Sequence, residues 1–257
     1  MNDEDIQYLE TTNGKIAYYY VAPKGRDVTV LFLHGFFSSM QKTKGQYLHN
    51  LCIEKGYGFL SLDYSGHGLS AGDFEQGCIS QWLQDCEAVI QFVGARKLII
   101  VGSSLGGWMM LHVAQRLPDF VAGLIGISVA PDFTVQICAQ LSPQQRQDLE
   151  VNGHFIMSSE YRAGGVAITQ KLLEDGNQLA VFDKGGISCA LPVRLLHGLD
   201  DKDCPFSWSL QLMQELTSTD IELTLIKGGD HSLSAPNNLR LLRQVLMELV
   251  ATIEGNL

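Results

Sequence analysis

The chain has 257 residues, a formal net charge of −10 at pH 7 and 46% hydrophobic residues. The acidic balance argues against nucleic acid and anionic membrane surfaces as main partners, and no apolar run reaches the length needed for stable membrane insertion. The length fits one α/β domain with an insertion, and the hydrophobic content is enough for a large buried core.

The six cysteines are scattered along the chain, without a CxxC pair or the spacing of a Cys/His metal site. We therefore expect free, mostly buried thiols in a reducing compartment. The first residues, MNDEDIQ, are acidic and polar, unlike a secretory signal or an Arg-rich transit peptide. These observations predict a cytoplasmic protein.

The chain begins with a predicted hairpin from Ile6 to Val21, because its turn contains the pair Asn13-Gly14. Strands and helices then alternate, which predicts a mostly parallel twisted sheet with helices on both faces. Further strands are expected near Val28–Leu33, Phe59–Leu62, Leu98–Val101, Leu124–Ser128, Val193–Leu196 and Ile221–Ile226. Helices are expected near Lys44–Lys55, Ile79–Phe92, Leu105–Arg116, Ser207–Leu216 and Asn238–Ile253.

The alternation is interrupted at about residues 132–190, where we expect a small helical lid inserted into the single domain 1–257. LSPQQRQDLE predicts a short helix with Ser142 as its cap and Pro143 in its first turn. SSEYRAGGVAITQKLLEDG predicts a second helix. The large apolar residues of the lid either line a pocket or only hold the lid to the body: Phe133, Phe155, Met157, Tyr161 and Phe182.

The segment from Gly102 to Gly106 has the pattern G-x-S-x-G between a predicted strand and a predicted helix. A strand, a tight turn and a helix are the context of a nucleophile elbow. Glycines are needed there because the serine adopts a strained backbone conformation in which bulky neighbours would clash. Ser104 is therefore the candidate nucleophile.

A serine hydroxyl is a weak nucleophile unless a base takes its proton and a third group orients that base. In elbow-type enzymes the acid and then the histidine follow the serine along the chain. His231 follows the last predicted strand and is the candidate base. The loop after Val193–Leu196 offers three aspartates, and the frame H-G-x-x-D-x-x-hydrophobic-P favours Asp201 over Asp200 and Asp203.

The aspartates also have a simpler interpretation, an acidic solvated turn that caps the helix beginning near Ser207.

An oxyanion hole is the remaining requirement, and in this architecture the residue after the nucleophile supplies one backbone N–H donor. That residue is Leu105. The second donor comes from the loop after an earlier strand, where His34-Gly35 points to the Phe36 backbone N–H.

In chain order, the motifs LHGFFSSM, DYSGHGLSAGD, VGSSLGGWMMLHVA, RLLHGLDDKDCP and KGGDHS resemble the α/β-hydrolase family of serine hydrolases. More narrowly, the chain looks like the branch of abhydrolase domain-containing protein 10, which contains a mitochondrial acyl-protein thioesterase that also cleaves acyl glucuronides. The resemblance implies Ser104 as nucleophile, Asp201 as acid and His231 as base.

These assignments predict a serine hydrolase that cleaves small-molecule carboxylic esters or thioesters through an acyl-enzyme, without a metal or an organic cofactor. Two alternatives stay open, because the fold does not fix the function. One is an enzyme of another reaction type on the same scaffold, such as a C–C bond hydrolase, a peptidase or a cofactor-free peroxidase. The other is a non-catalytic binding protein.

Overall fold

The computed structural model describes residues 1, 3–158, 164–182 and 187–255. Within these ranges, eight strands form one sheet in the order β1-β2-β4-β3-β5-β6-β9-β10. The strands of this sheet are β1 (Gln7–Thr11), β2 (Gly14–Val21), β3 (Thr29–Leu33), β4 (Gly58–Leu62), β5 (Leu98–Ser103), β6 (Val121–Ile127), β9 (Val193–Gly198) and β10 (Ile221–Ile226).

The hairpin of β1 and β2 pairs antiparallel at one edge, which confirms the prediction made from Asn13-Gly14. The strands from β4 to β10 in the sheet order pair parallel with one another. β5 lies inside this parallel part, between β3 and β6. Parallel strands place their carboxyl ends at one edge, so the loops after β3, β5, β9 and β10 meet there.

Helices cover both faces of the sheet, which confirms the predicted α/β class. The helices outside the insertion begin and end within two residues of the predicted positions. Among the described residues, no helix combines the length and the apolar character needed to cross a bilayer. These helices are α1 (Thr43–Lys55), α2 (Ile79–Val93), α3 (Leu105–Arg116), α7 (Ser207–Glu215) and α8 (Pro236–Glu254).

The sheet separates two apolar cores. Helices α2 and α3 pack on one face, where the rings of Trp82 and Trp108 are fully buried. Helices α1 and α8 pack on the other face around Phe59 and Leu246. The central strands β3, β4 and β5 are buried along their whole length, as expected for a parallel sheet covered on both sides.

The insertion between β6 and β9 contains two strands besides its helices, so the helix predicted for SSEYRAGGVAITQKLLEDG was wrong over Val166–Thr169. The segment Val166–Thr169 is a strand that pairs antiparallel with His154–Met157. Its β-branched residues favour a strand, and the Thr169 side chain then caps the following helix by accepting from the Leu172 N–H. The elements are α4 (Phe133–Gln140), α5 (Pro143–Asn152), β7 (His154–Met157), β8 (Val166–Thr169) and α6 (Gln170–Gln178).

Helix α5 confirms the predicted cap. The Ser142 side chain accepts from the Gln145 N–H, the Gln145 side chain accepts from the Ser142 N–H, and Pro143 is in the first turn.

The other predictions for the insertion have different outcomes. Helix α4 was not predicted from the sequence. Tyr161 lies outside the described residues. The division into one domain with a lid stays a prediction.

One buried carboxylate joins the two ends of the insertion. Asp132 begins α4 at a positive φ of 56°, and its two carboxylate oxygens accept the backbone N–H groups of Val181 and Phe182, both at 2.8 Å. A buried charge needs such partners, because an unsatisfied carboxylate away from water is strongly destabilising. Asp132 therefore fixes the position of the insertion over the carboxyl edge of the sheet.

Close backbone packing explains the glycines of the elbow. A Cβ on Gly106 would lie 2.1 Å from the carbonyl oxygen of Leu33, and a Cβ on Gly102 would lie 2.4 Å from the carbonyl oxygen of Gly106. Both positions have ordinary backbone angles, so the need for glycine here is steric. The contact of α3 with the end of β3 depends on the missing side chain of Gly106.

We predict that Gly106→Ala lowers the free energy of unfolding by about 2 kcal/mol or more, because the new methyl group would push α3 away from β3. Urea unfolding followed by circular dichroism measures this loss. Gly123→Ala is the control, because the nearest atoms to its Cβ belong to the side chains of Ile253 and Leu249, at 2.9 Å and more, rather than to backbone. Equal unfolding midpoints for the two variants would contradict the steric explanation.

Candidate active site

Ser104 lies at the turn between β5 and α3 with φ 56° and ψ −118°. A non-glycine residue at this φ is strained, and the surroundings must hold it there. Its backbone N–H donates to the carbonyl of Ile127 at 2.9 Å, and its carbonyl accepts from the Gly107 N–H at 2.9 Å. These bonds tie the serine to the neighbouring strand and to the first turn of α3, so that its side chain faces the cavity.

Three residues from separate loops form a hydrogen-bonded row. His231 Nε2 lies 3.0 Å from Ser104 Oγ, and His231 Nδ1 lies 2.8 Å from Asp201 Oδ2. With the proton on Nδ1, the histidine donates to the carboxylate and accepts from the serine hydroxyl. The side chain of Asp201 is 1% exposed and that of His231 is 16% exposed. The three candidates for nucleophile, acid and base therefore meet.

The other two aspartates of this loop are exposed at its surface. Asp200 donates its backbone N–H to the Gly229 carbonyl at 2.9 Å, and Asp203 donates its backbone N–H to Asp201 Oδ1 at 2.9 Å. A Cβ on Gly198 would lie 2.2 Å from the Gly229 carbonyl, so the two loops approach through backbone. This approach places the His231 ring within hydrogen-bond distance of the Asp201 carboxylate.

Asp201 is the most heavily hydrogen-bonded carboxylate of the site. Oδ1 accepts the backbone N–H groups of Asp203 and Cys204, and Oδ2 lies 3.1 Å from His197 Nε2. Burial by itself would raise the pKa of Asp201, but the hydrogen bonds from His197 and His231 outweigh it and hold the pKa well below its usual range. The carboxylate is thus charged at neutral pH.

A lysine from α1 anchors the loop that carries His231. Lys44 Nζ donates to the carbonyl of Ser232 and lies 3.4 Å from Ser234 Oγ. Burial lowers the pKa of Lys44 to about 8, although the negative charge of Asp230 opposes the shift. The Asp230 side chain accepts the Leu233 N–H at 2.8 Å, which closes the turn around the histidine.

The predicted oxyanion donors lie beside the serine. Leu105 is the first residue of α3, and Phe36 follows Gly35, whose Cβ, if present, would lie 3.3 Å from Ser104 Cβ. Within the described chain, neither backbone N–H donates to another residue. Both residues line the same cavity as Ser104 and His231, so the two donors are available to a ligand there.

A cavity of about 750 Å³ opens above Ser104. Phe133 and Met157 line it, which agrees with the interpretation that apolar residues of the insertion line a pocket. Phe155 and Phe182 are not among its lining residues. Phe155 instead packs in the core formed by α2, α3 and the insertion. The apolar part of the wall consists of Phe36, Phe37, Leu105, Ala130, Phe133, Ile137, Met157, Val166, Pro205 and Trp208.

Sequence reasoning missed two neighbours of Asp201. His197, the first residue of the frame H-G-x-x-D-x-x-hydrophobic-P, is fully buried and lies within hydrogen-bond distance of the Asp201 carboxylate. Cys204, which occupies the hydrophobic position of that frame, has its Sγ 3.6 Å from His231 Nδ1. The frame H-G-x-x-D-x-x-hydrophobic-P contains both positions, but the frame alone does not show that they converge on one carboxylate oxygen.

The chain is similar to known hydrolases over most of its length. A family model described as Hydrolase_4, serine aminopeptidase, S33, matches residues 24–165. The protein named Palmitoyl-protein thioesterase ABHD10, mitochondrial, from Bos taurus is 32% identical over 232 residues, which cover 90% of this chain and 76% of that relative.

Two solved structures share the architecture. The crystal structure of a protein from Agrobacterium vitis S4 matches with a TM-score of 0.90 and 36% sequence identity, and the match covers 95% of this chain and 98% of that protein. The structure of alpha/beta hydrolase domain-containing protein 10 from mouse matches with a TM-score of 0.88 and 30% sequence identity, and the match covers 96% of this chain and 99% of that protein. The topology described above is therefore that of these proteins.

We predict that Asp201→Asn lowers the free energy of unfolding at pH 7 by about 1–3 kcal/mol, because the amide cannot accept all the hydrogen bonds of the carboxylate. The folded pKa lies below the unfolded value of about 3.9, so this stabilisation is complete above that value and is lost as the pH falls through the folded pKa. The difference between the variant and the parent should therefore shrink at acid pH.

Urea unfolding between pH 3 and pH 7 measures this difference. Asp200→Asn is the matched control, since that side chain is exposed one residue away and should change the stability little at any pH. A stability difference for Asp201→Asn that stays constant over the whole range would contradict the prediction.

Proposed function

We propose that this chain, which belongs to the α/β-hydrolase family, is a serine hydrolase that cleaves carboxylic esters or thioesters. The observation that carries the proposal is the row of hydrogen bonds from Ser104 through His231 to Asp201, below a cavity with two available N–H donors. The similarity to palmitoyl-protein thioesterases supports an acyl substrate.

In the proposed reaction, His231 Nε2 takes the proton of Ser104 as the oxygen attacks the acyl carbon. The backbone N–H groups of Phe36 and Leu105 donate to the oxyanion of the tetrahedral intermediate. Asp201 keeps the His231 proton on Nδ1 and stabilises the charged imidazolium. His231 then protonates the leaving alcohol or thiol, and water clears the acyl-enzyme by the same steps.

The cavity wall supports an apolar acyl group. The Phe133 ring packs edge-to-face on Trp108, with ring centroids 5.7 Å apart, and lies tilted against Phe36 at 5.6 Å. Phe133 and Phe36 line the cavity, and Trp108 lies buried behind Phe133. Polar residues, among them Gln136, Gln140 and Lys202, line another part. The leaving group would occupy this polar part, where its oxygen or nitrogen atoms find hydrogen-bond partners.

A cytoplasmic location stays a prediction. The six cysteines are all free in the structure, which supports a reducing compartment. The word mitochondrial in the name of the bovine thioesterase describes that protein, and a mitochondrial matrix would satisfy the same requirement for reduced thiols.

We predict that Ser104→Ala lowers kcat by about 10⁴ to 10⁶, because it removes the attacking oxygen while the rest of the site is retained. Steady-state hydrolysis of p-nitrophenyl butyrate measures the loss. Ser103→Ala, at the variable position of the elbow, is the matched control and should have a mild effect. A fluorophosphonate probe should label the parent protein and the control but not Ser104→Ala.

If Ser103→Ala were the inactive variant, the assignment of the nucleophile would be wrong. If the fluorophosphonate did not label the folded parent protein, the result would favour a binding protein over a serine hydrolase. A panel of peptides, esters and thioesters separates the proposed activity from that of a peptidase.

We predict that kcat/KM rises by roughly tenfold for each added pair of methylenes until the apolar part of the cavity is full, since each buried CH₂ contributes about 0.8 kcal/mol. Hydrolysis of p-nitrophenyl esters from acetate to palmitate, below micelle-forming concentrations, gives the profile. A flat or falling profile would contradict the acyl pocket.

Phe133→Ala should reduce the preference for longer chains while acetate hydrolysis changes much less, because it removes one side of the cavity wall. Val135→Ala is the control on the same helix, since that side chain is 37% exposed and does not line the cavity. Equal profiles for the two variants would assign Phe133 to the contact between insertion and body alone.

A further inference from the structure

We propose that Lys44 is a positioning residue of the proposed hydrolase, whose ammonium group holds the turn after His231 and so keeps His231 Nε2 on Ser104. This role rests on the proposed function, because it acts through the proposed base. Lys44 is not among the residues that line the cavity. Its effect should therefore appear in kcat rather than in KM.

The turn that follows His231 needs support from outside itself. Leu233 has a φ of 46°, in the left-handed region that bulky side chains rarely adopt. Its side chain is buried in the core around Phe59, and its N–H donates to Asp230 Oδ1 at 2.8 Å. A turn in such a conformation persists only when the surrounding contacts hold it.

Lys44 supplies such a contact at the residue next to the base. Its Nζ donates to the Ser232 carbonyl and lies 3.4 Å from Ser234 Oγ. The Ser234 hydroxyl donates to the same carbonyl at 3.3 Å, but a bond from a charged donor is about twice as strong as one from a neutral donor. Because Ser232 directly follows His231, a displacement of this carbonyl moves the backbone that carries the imidazole.

The start of α1 is itself fixed to the loop that carries the proposed oxyanion donor Phe36. Gly45 packs so closely on the end of that loop that a Cβ there would lie 1.9 Å from the Met40 carbonyl oxygen. Lys44 directly precedes this contact, in the first turn of α1. One side chain therefore connects the loop after β3, which carries the oxyanion donor, to the loop after β10, which carries the base.

The fold holds this ammonium group at a cost. Burial lowers the pKa of Lys44 to about 8 from its ordinary value of 10.5, although the negative charge of Asp230 opposes the shift. A folded pKa below the unfolded value means that folding disfavours the charged form, fully below about pH 8 and no longer above the unfolded pKa. An apolar side chain of similar length would avoid the cost but could not donate to Ser232, which favours a role in function.

Steady-state kinetics of Lys44→Met tests this role. We expect kcat for p-nitrophenyl butyrate at pH 7 to fall about 10- to 100-fold, because a base displaced by about 1 Å can cost that much in rate. KM should change little. Lys42→Met is the matched control, since Lys42 is exposed two residues earlier, and it should keep the parental kcat. An unchanged kcat in Lys44→Met, or a loss confined to KM, would overturn the proposal.

Urea unfolding separates positioning from a purely structural role. The midpoint of Lys44→Met at pH 7 should be no lower than that of the parent, because removal of the buried charge offsets the lost hydrogen bonds. A lower midpoint with parental kcat per folded protein would mean that Lys44 only stabilises the packing of α1, and the proposal would be overturned. Lys44→Gln, which also lacks the charge, should show the same loss of kcat, so the result does not depend on one variant.

Proton NMR reports on His231 without an enzyme assay. The Nδ1–H that donates to Asp201 should give a resonance far downfield of the amide region in the parent, and His231→Gln assigns this resonance by its loss. The resonance should shift or broaden in Lys44→Met and stay unchanged in Lys42→Met. An identical resonance in Lys44→Met and the parent would overturn the positioning role. If the parent hydrolyses no ester, the proposed function fails, and the NMR comparison still decides whether Lys44 positions His231.

Discussion

The strained turn at Ser104 is the constraint on which the rest of the site depends. A serine with φ 56° is stable only if its neighbours hold it, and two backbone hydrogen bonds and the close approach of α3 to β3 do so. The strain turns the hydroxyl out of the sheet edge and leaves the Leu105 N–H at the helix start free to donate to a ligand. The same geometry therefore positions the proposed nucleophile and one proposed oxyanion donor.

The elbow, the alternation of strands and helices, and the loops that carry Asp201 and His231 were all predictable because their signals are local. A G-x-S-x-G turn between an apolar strand and a helix, and an acid and a histidine just after later strands, need only short windows of sequence. The parallel sheet then brings loops distant in sequence to one edge. The meeting of Ser104, Asp201 and His231 follows from that topology.

What the sequence did not predict depends on packing between distant segments. The strand Val166–Thr169 forms because His154–Met157 lies beside it, and the predicted helix therefore begins only at Gln170. The buried bonds from Asp132 to Val181 and Phe182 join residues about fifty positions apart. His197 and Cys204 acquire their relation to His231 only when the loops after β9 and β10 pack against each other.

The Asp201 carboxylate needs several hydrogen-bond donors at once because its charge is buried. A buried carboxylate is stable only when its lone pairs are satisfied. Here two imidazoles and a thiol lie within reach of one oxygen, Asp201 Oδ2, and satisfy its lone pairs. Burial raises the pKa of the Cys204 thiol, so the protonated form predominates at neutral pH and can donate to the carboxylate. The hydrogen bonds that satisfy the buried carboxylate thus include the one that orients His231 for the proposed catalysis.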